Sequence, residues 1–365
     1  MIITIPHMGN VYLAAKALFD GLGIQYVIPE TNNKKSLQIG SYYSPEEICL
    51  PFKMMMGNYM QSIEKGADTI LITGSCGPCR FGEYCELQMN ILKQLGHKLD
   101  FIVLDAPNEI GLDEFKRRIG RIYHASRLNR AGKLMATQRA YKVMELMDRL
   151  EARAHDLAGY EVNKGDCKKL LRRCREEAFQ CNNPVDVIGI LKDYMKKLAS
   201  VETDKSLNPI RLSIIGEIYT VIEPFSNLFI EEKLMDYGVS VKRHLTPTWW
   251  LKDMVMKPTR LNSLGLRRSS KEYLPLYIGG HGRECIGEAV MSYHQGLDGA
   301  IQIFPLGCMP EIVTKSILPT IQKDKDFPIM SLIVDEMTGE AGYVTRIEAF
   351  LDMIKMRRKE NKIKV

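Results

Sequence analysis

Residues 46–79 read EEICLPFKMMMGNYMQSIEKGADTILITGSCGPC, and residues 283–311 read RECIGEAVMSYHQGLDGAIQIFPLGCMPE. Both follow one order: a cysteine opening a helix-patterned segment, a glycine closing it, an aspartate, a short apolar run, and a Gly/Pro turn that carries cysteine. The apolar run is short and bounded by breakers, so it reads as a buried strand. The parallel extends upstream. ITIPHMGNVYLAAKALFDGLGIQYVIP and LSIIGEIYTVIEPFSNLFIEEKLMDYGVSVKRH each give a strand, a polar loop with an asparagine, a helix, a glycine and a strand. Strand and helix in alternation imply βαβ units and a parallel sheet. Internal duplication of an α/β lobe is the economical reading, and it pairs Cys49 with Cys76 or Cys79 in the first half and Cys285 with Cys308 in the second.

Within the first half, the spacing predicts a helix over VYLAAKALFDGLG that stops at Gly21 or Gly23. A second helix is expected from Ser44 as N-cap, with Pro45 in its first turn and Glu47 at the third position. From about 111 to 205 the chain is charged and helical in pattern, with no strand. The expected division is an α/β lobe over 1–115, a helical domain over 116–205 and a second α/β lobe over 206–365. Cys167, Cys174 and Cys181 recur every seven residues on one helix face, on the order of 10 Å apart. That is too far for one metal, and core or interface packing is expected. Trp249 and Trp250 are read the same way.

The chain has 365 residues, 45% hydrophobic and 26% charged, a globular balance with enough core for two or three domains. No apolar run approaches the roughly 20 residues that span a bilayer. The opening MIITIPHMGN lacks the basic-then-apolar order of a signal peptide, so a cytoplasmic location is expected. Nine cysteines, an odd number, then argue against a disulfide framework. The net charge of +6 suits an acidic partner or a phosphate-bearing ligand. No nucleic-acid motif or aromatic-interleaved basic stretch accompanies it. The basic helices are expected to be solvated faces, the functional alternative being a surface that docks a protein partner or binds the phosphates of a ligand.

In an open parallel sheet, ligands bind beyond the carboxyl ends of the strands, where helix N-termini also face. Helix N-termini favour thiolates. Cys49, Cys76, Cys79, Cys285 and Cys308 all occupy such positions, and Cys85 follows closely enough to reach the same place. Four readings stay open: packed core thiols, a redox pair at Cys76 and Cys79, zinc, and an iron–sulfur cluster held from two lobes. Beside the thiols, His281 is a candidate proton donor or a turn residue. Lys53, Arg80 and Arg283 are candidates for contacting an anion or tuning a cofactor. Glu340 is a candidate for lining the site or capping a helix.

CLPFK, GSCGPCRFGEY, GGHGRECIGEA, FPLGCMPE and DEMTGEAGYVTRIEAFLDM resemble the 2-hydroxyacyl-CoA dehydratase superfamily. The closest likeness is to its CoA-substrate activase-related and double-cubane cluster proteins, and it runs from about Ile2 to Met353. The resemblance implies Rossmann-like lobes with an added helical domain and an iron–sulfur site between the lobes. It implies a [4Fe-4S] cluster, or a double cubane of about eight irons, held by Cys49, Cys76, Cys79 and Cys308; Cys285 joins them through the internal repeat more than through the family pattern, and Cys85 brings the count to six. It further implies electrons from an ATP-dependent iron–sulfur activase, a homologous subunit or homodimer as partner, and reduction or dehydration of an acyl-CoA or small molecule. The alternative is a non-catalytic cluster carrier or scaffold that pairs with a homologous catalytic chain. Neither nucleic acid nor membrane is expected as a partner.

Overall fold

The computed structural model describes residues 1–74, 81–105, 110–256 and 263–363. Its first sheet holds β1 (Ile3–Thr4), β2 (Tyr26–Val27), β3 (Thr69–Thr73) and β4 (Asp100–Leu104) in the order β2-β1-β3-β4. The second holds β5 (Arg211–Gly216), β6 (Ser240–Arg243), β7 (Gly299–Pro305) and β8 (Ile329–Val334) in the order β6-β5-β7-β8. Every pairing is parallel. The two sheets therefore have one topology, which is what a duplicated lobe requires.

Helices connect the strands. In the first lobe α1 (Val11–Leu22) joins β1 to β2 and ends on Gly23 at φ 66°, as the glycine predicted. Next come α2 (Lys34–Tyr43), α3 (Leu50–Glu64) and α4 (Phe81–Gln94). After β4, α5 (Leu112–Ala125) packs back on its strand, with Arg118 and Arg121 donating to the carbonyls of Val103 and Phe101. The long helices are α6 (Arg130–Leu157), α7 (Asp166–Gln180) and α8 (Pro184–Ala199). The second lobe continues with α9 (Ile218–Ile222), α10 (Ile230–Asp236), α11 (Pro247–Met256), α12 (Leu264–Ser270), α13 (Gly282–His294), α14 (Met309–Lys325) and α15 (Glu340–Ile363).

Contacts divide the chain into two compact units. One comprises Met1–Leu150, Arg172–Lys197 and Thr246–Asn262; the other comprises Glu151–Leu171, Leu198–Leu245 and Ser263–Val365. The long helices are shared between them, with α6 and α7 each contributing residues to both. The first core gathers Ile3, Phe19, Leu22 and Ile102. The second gathers Ile215, Ile286, Ala289, Leu318 and Ile321.

The duplication is visible in individual hydrogen bonds. The amide of Ala67 bonds the carbonyl of Ser62 at 3.0 Å, and that of Leu297 bonds Ser292 at 3.1 Å. Gly66 and Gly296 both take positive φ, 93° and 67°. Asp68 accepts from the amide of Ile2 at 2.7 Å, and Asp298 accepts from that of Arg211 at 2.7 Å. Each aspartate pins the third strand of its sheet to the start of the first.

Three expectations are corrected. The helix placed from Ser44 begins at Leu50, with Cys49 as N-cap, while Ser44 ends α2. An Asn33–Ser36 capping box starts α2 as a separate helix, and Pro51, which needs no amide partner in a first turn, starts α3. Cys181 lies just past α7, with its thiol 3.8 Å from the carbonyl of Asn183, whereas Cys167 and Cys174 are fully buried. Cys285 does not open its helix: α13 starts at Gly282 and places Cys285 at the fourth position.

The α2–α3 crossing is set by glycine. A Cβ on Gly57 would lie 2.0 Å from the Ser36 carbonyl oxygen, and one on Gly40 would lie 1.7 Å from that of Lys53. Gly287 repeats the device in the second lobe, where a Cβ would lie 2.5 Å from the Leu266 carbonyl oxygen. Gly57→Ala is expected to force the helices apart and cost about 1–3 kcal/mol, read as a lowered urea midpoint. An unchanged midpoint would show that the crossing is not close-packed.

Candidate functional site

In the first unit the chemistry lies at the carboxyl edge of the sheet, where β3 and β4 end and α3 and α4 begin. Cys49 caps α3 in an extended conformation, φ −69° and ψ 154°, and its sulfur contacts the hydroxyl of Tyr84 on α4. Tyr84 is buried and packs edge-on against Phe52, with ring centroids 5.0 Å apart. Cys85, the next residue of α4, is half-buried and lies 3.8 Å from the Gly82 carbonyl oxygen. Burial first, and the Asp105 carboxylate second, push its thiol pKa up. Asp105 in turn holds Arg118 at 2.6 Å. Lys53 is buried one turn into α3, with Nζ donating to the Glu46 carbonyl at 2.9 Å, so it fastens the loop that delivers Cys49. Cys76, Cys79 and Arg80 lie outside the described residues, in the connection between β3 and α4.

In the second unit, Cys308 caps α14, half-buried, at φ −72° and ψ 99°. Cys49 and Cys308 thus share one setting: helix N-cap, extended backbone, proline two residues on. Neither side chain makes a capping hydrogen bond, and what favours negative charge on sulfur there is the helix dipole.

Cys285 differs. It is completely buried, and its thiol faces the Glu311 carboxyl. Burial first, and then the nearby carboxyls of Glu311 and Glu288, raise its pKa well above the usual thiol range. Around it lie the buried side chains of Gln302, Glu311 and Glu288, with half-buried Ser331 at their edge, none of them singled out from the sequence. Ser331 donates to Gln302 Oε1 at 2.7 Å, and Gln302 Nε2 donates to Glu311 Oε2 at 2.9 Å. Burial lifts the Glu311 carboxyl to about 7. Glu288 is also buried, neither of its carboxyl oxygens has a hydrogen-bond partner among the described residues, and burial drives its pKa well up. The available signals were a glutamine inside the apolar run AIQIFP and the glutamate of CMPE, one turn after Cys308.

The remaining candidates are dispersed. His281 is the N-cap residue of α13, with no side-chain capping bond. Arg283 pairs with Glu284 at 3.1 Å and lies over the Tyr277 ring at 5.5 Å. Glu340 is exposed at the start of α15 and pairs with Lys233 at 2.6 Å. Trp249 and Trp250 are half-buried on α11.

Among the described residues, no group of three or more His, Cys, Asp or Glu side chains is arranged to hold a metal ion. Two of the candidate thiols lie outside those residues. Nor is any helix among the described residues long and apolar enough to cross a membrane.

No curated protein matches the chain. Residues 4–74, from β1 to the end of β3, match a family described as CoA enzyme activase uncharacterised domain (DUF2229).

Proposed function

We propose that the chain is an iron–sulfur protein of the 2-hydroxyacyl-CoA dehydratase type. It takes low-potential electrons from an ATP-dependent activase and serves reduction or dehydration of an acyl-CoA or small molecule. The observation that carries this reading is the matched placement of Cys49 and Cys308, each an N-cap thiol at a helix mouth of a duplicated lobe. The match of residues 4–74 to a domain named for CoA enzyme activation supports the same direction.

In this reading Cys49, Cys76, Cys79 and Cys308 supply thiolates, and Cys85 stands beside them. Such a cluster, when bound, supplies low-potential electrons. The chain's own residues do the rest. The α3 and α14 N-termini hold sulfur as thiolate, Tyr84 orients Cys49, and Lys53 fixes the Glu46–Cys49 loop. Arg80 and Arg283 offer charge to an anionic ligand, His281 offers a proton, and Glu340 borders the second lobe. The partners are the activase and a second homologous chain or copy.

Anaerobic purification with iron and sulfide counting and EPR tests this. The wild type is expected to carry about four irons for one cubane or about eight for two. Cys49→Ala and Cys308→Ala are each expected to lose at least half of that iron and to change the EPR signal. Wild-type iron and spectrum in both variants would refute the ligand assignment.

A further inference from the structure

The hydrogen-bond landmarks fix how the two lobes align, residue by residue. Ser62 pairs with Ser292, Gly66 with Gly296 and Asp68 with Asp298. Counting back along the helix, Gly57 falls opposite Gly287, and both glycines admit a neighbouring helix backbone. Lys53 falls opposite Arg283. Cys285 then falls opposite Met55, which is 2% exposed in the first lobe. Cys49 falls opposite Gly279, which takes φ 90° in the turn before α13. The two cysteines that look equivalent in sequence are therefore not equivalent in the fold.

The local structure agrees. Cys285 packs in the second core with Ile215, Ile286, Ala289 and Leu318, at 0% exposure. The N-terminus of α13 is pressed against the first turn of α14: a Cβ on Gly282 would lie 3.0 Å from Thr314 Oγ1 and 3.1 Å from the Pro310 carbonyl oxygen. Thr314 also donates to the carbonyls of Gly282 and Pro310, at 3.3 and 2.9 Å. That leaves Cys285 sealed beneath the turn whose N-cap is Cys308. Below it the chain Ser331–Gln302–Glu311 runs from β8 through β7 to the third residue of α14.

We infer that Cys285 is a core residue that, with Glu311, Gln302 and Ser331, positions the α14 turn carrying Cys308, and that it is not a metal ligand. A soft metal needs a thiolate that it can reach. A sulfur with no accessible surface, packed among aliphatic side chains with the Glu311 and Glu288 carboxyls and the Cys308 thiol nearby, does not offer one. This rests on the iron–sulfur reading above. It leaves the second lobe with Cys308 as its one ligand thiol, and five cysteines in all for the cofactor. Six thiolates for two linked cubanes are then not available from one chain, so a single cubane is the expected stoichiometry.

Two measurements test the inference. The first is alkylation of the native, iron-free chain with iodoacetamide, with each cysteine followed by mass spectrometry. Cys308 is expected to label in the native state, and Cys285 only in denaturant. Gln302→Leu is expected to shift the Cys308 rate several-fold while leaving that of Cys181 unchanged. The second is iron per chain after anaerobic purification. Cys285→Ser, which keeps a hydrogen-bond donor, is expected to hold wild-type iron while Cys308→Ala does not. Should the serine variant fail to fold, Cys285→Ala serves in its place. The inference is overturned if Cys285 labels natively as fast as Cys308, if Gln302→Leu leaves the Cys308 rate unchanged, or if the Cys285 variant loses as much iron as Cys308→Ala. A wild-type chain that binds no iron refutes the proposed function alone, and the labelling result then decides the fate of Cys285.

Discussion

Arg243→Met is expected to lower the unfolding free energy of the second unit by about 3–5 kcal/mol, seen as a large drop in urea midpoint. Arg243 is the last residue of β6. Its guanidinium holds Glu151 of α6 at 2.9 Å and Glu231 of α10 at 2.8 Å, and the three side chains are only 5–10% exposed. His155 Nδ1 lies 3.2 Å from the other Glu231 oxygen. Burial works against the Glu231 charge, but Arg243 and then His155 outweigh it and hold its carboxyl below the usual range. Removing the arginine strands two buried carboxylates, and that uncompensated charge, more than any lost attraction, sets the size of the effect. It follows that replacing Arg243, Glu151 and Glu231 together by apolar residues should cost less than Arg243→Met alone. If the triple variant is the less stable of the two, the energetics of the network have been misassigned.

The second large effect concerns pH. The Glu311 carboxyl is raised to about 7, so the folded chain holds a proton there that the unfolded chain releases near 4.5. The folded state binds more protons between those values, and stability must fall as pH rises through that window. The contribution is fully present below about pH 4.5 and is lost as pH passes about 7, and by linkage it amounts to about 3 kcal/mol. Glu288 shifts in the same direction and adds to the slope. Glu288→Gln and Glu311→Gln each replace the carboxyl with an amide of the same shape that needs no proton. The double variant should therefore be more stable than wild type at pH 8 and nearly equal to it at pH 5. Parallel urea midpoints for the two proteins across pH 5–8 would mean that neither carboxyl is raised.

Most of the architecture could be read from the chain because parallel strands buried on both faces read as short apolar runs between breakers. AIQIFP and TILIT follow that pattern, and Gly23, Gly66 and Gly296 each take the positive φ expected of a glycine stop. The duplication was legible for the same reason: Gly-x-Asp ahead of a strand is a local device, and it folds alike in both lobes. Helix starts were less legible. Ser44–Pro45 and Cys49-x-Pro51 are both acceptable N-terminal signals, and only the packing of Gly40 and Gly57 selects the second.

What the sequence settled by itself was therefore the class of fold, the repeat and the set of sulfur atoms worth testing, since each depends on spacing within one element and its neighbouring turn. Which of those sulfurs stands at a helix mouth and which lies in a core was settled only by tertiary structure. A start three residues before Cys285, against a start just after Cys49, rotates one thiol inward and leaves the other at the helix mouth. That register depends on the helix backbones packed at Gly57 and Gly287, contacts of each helix with the one before it rather than spacing within one helix.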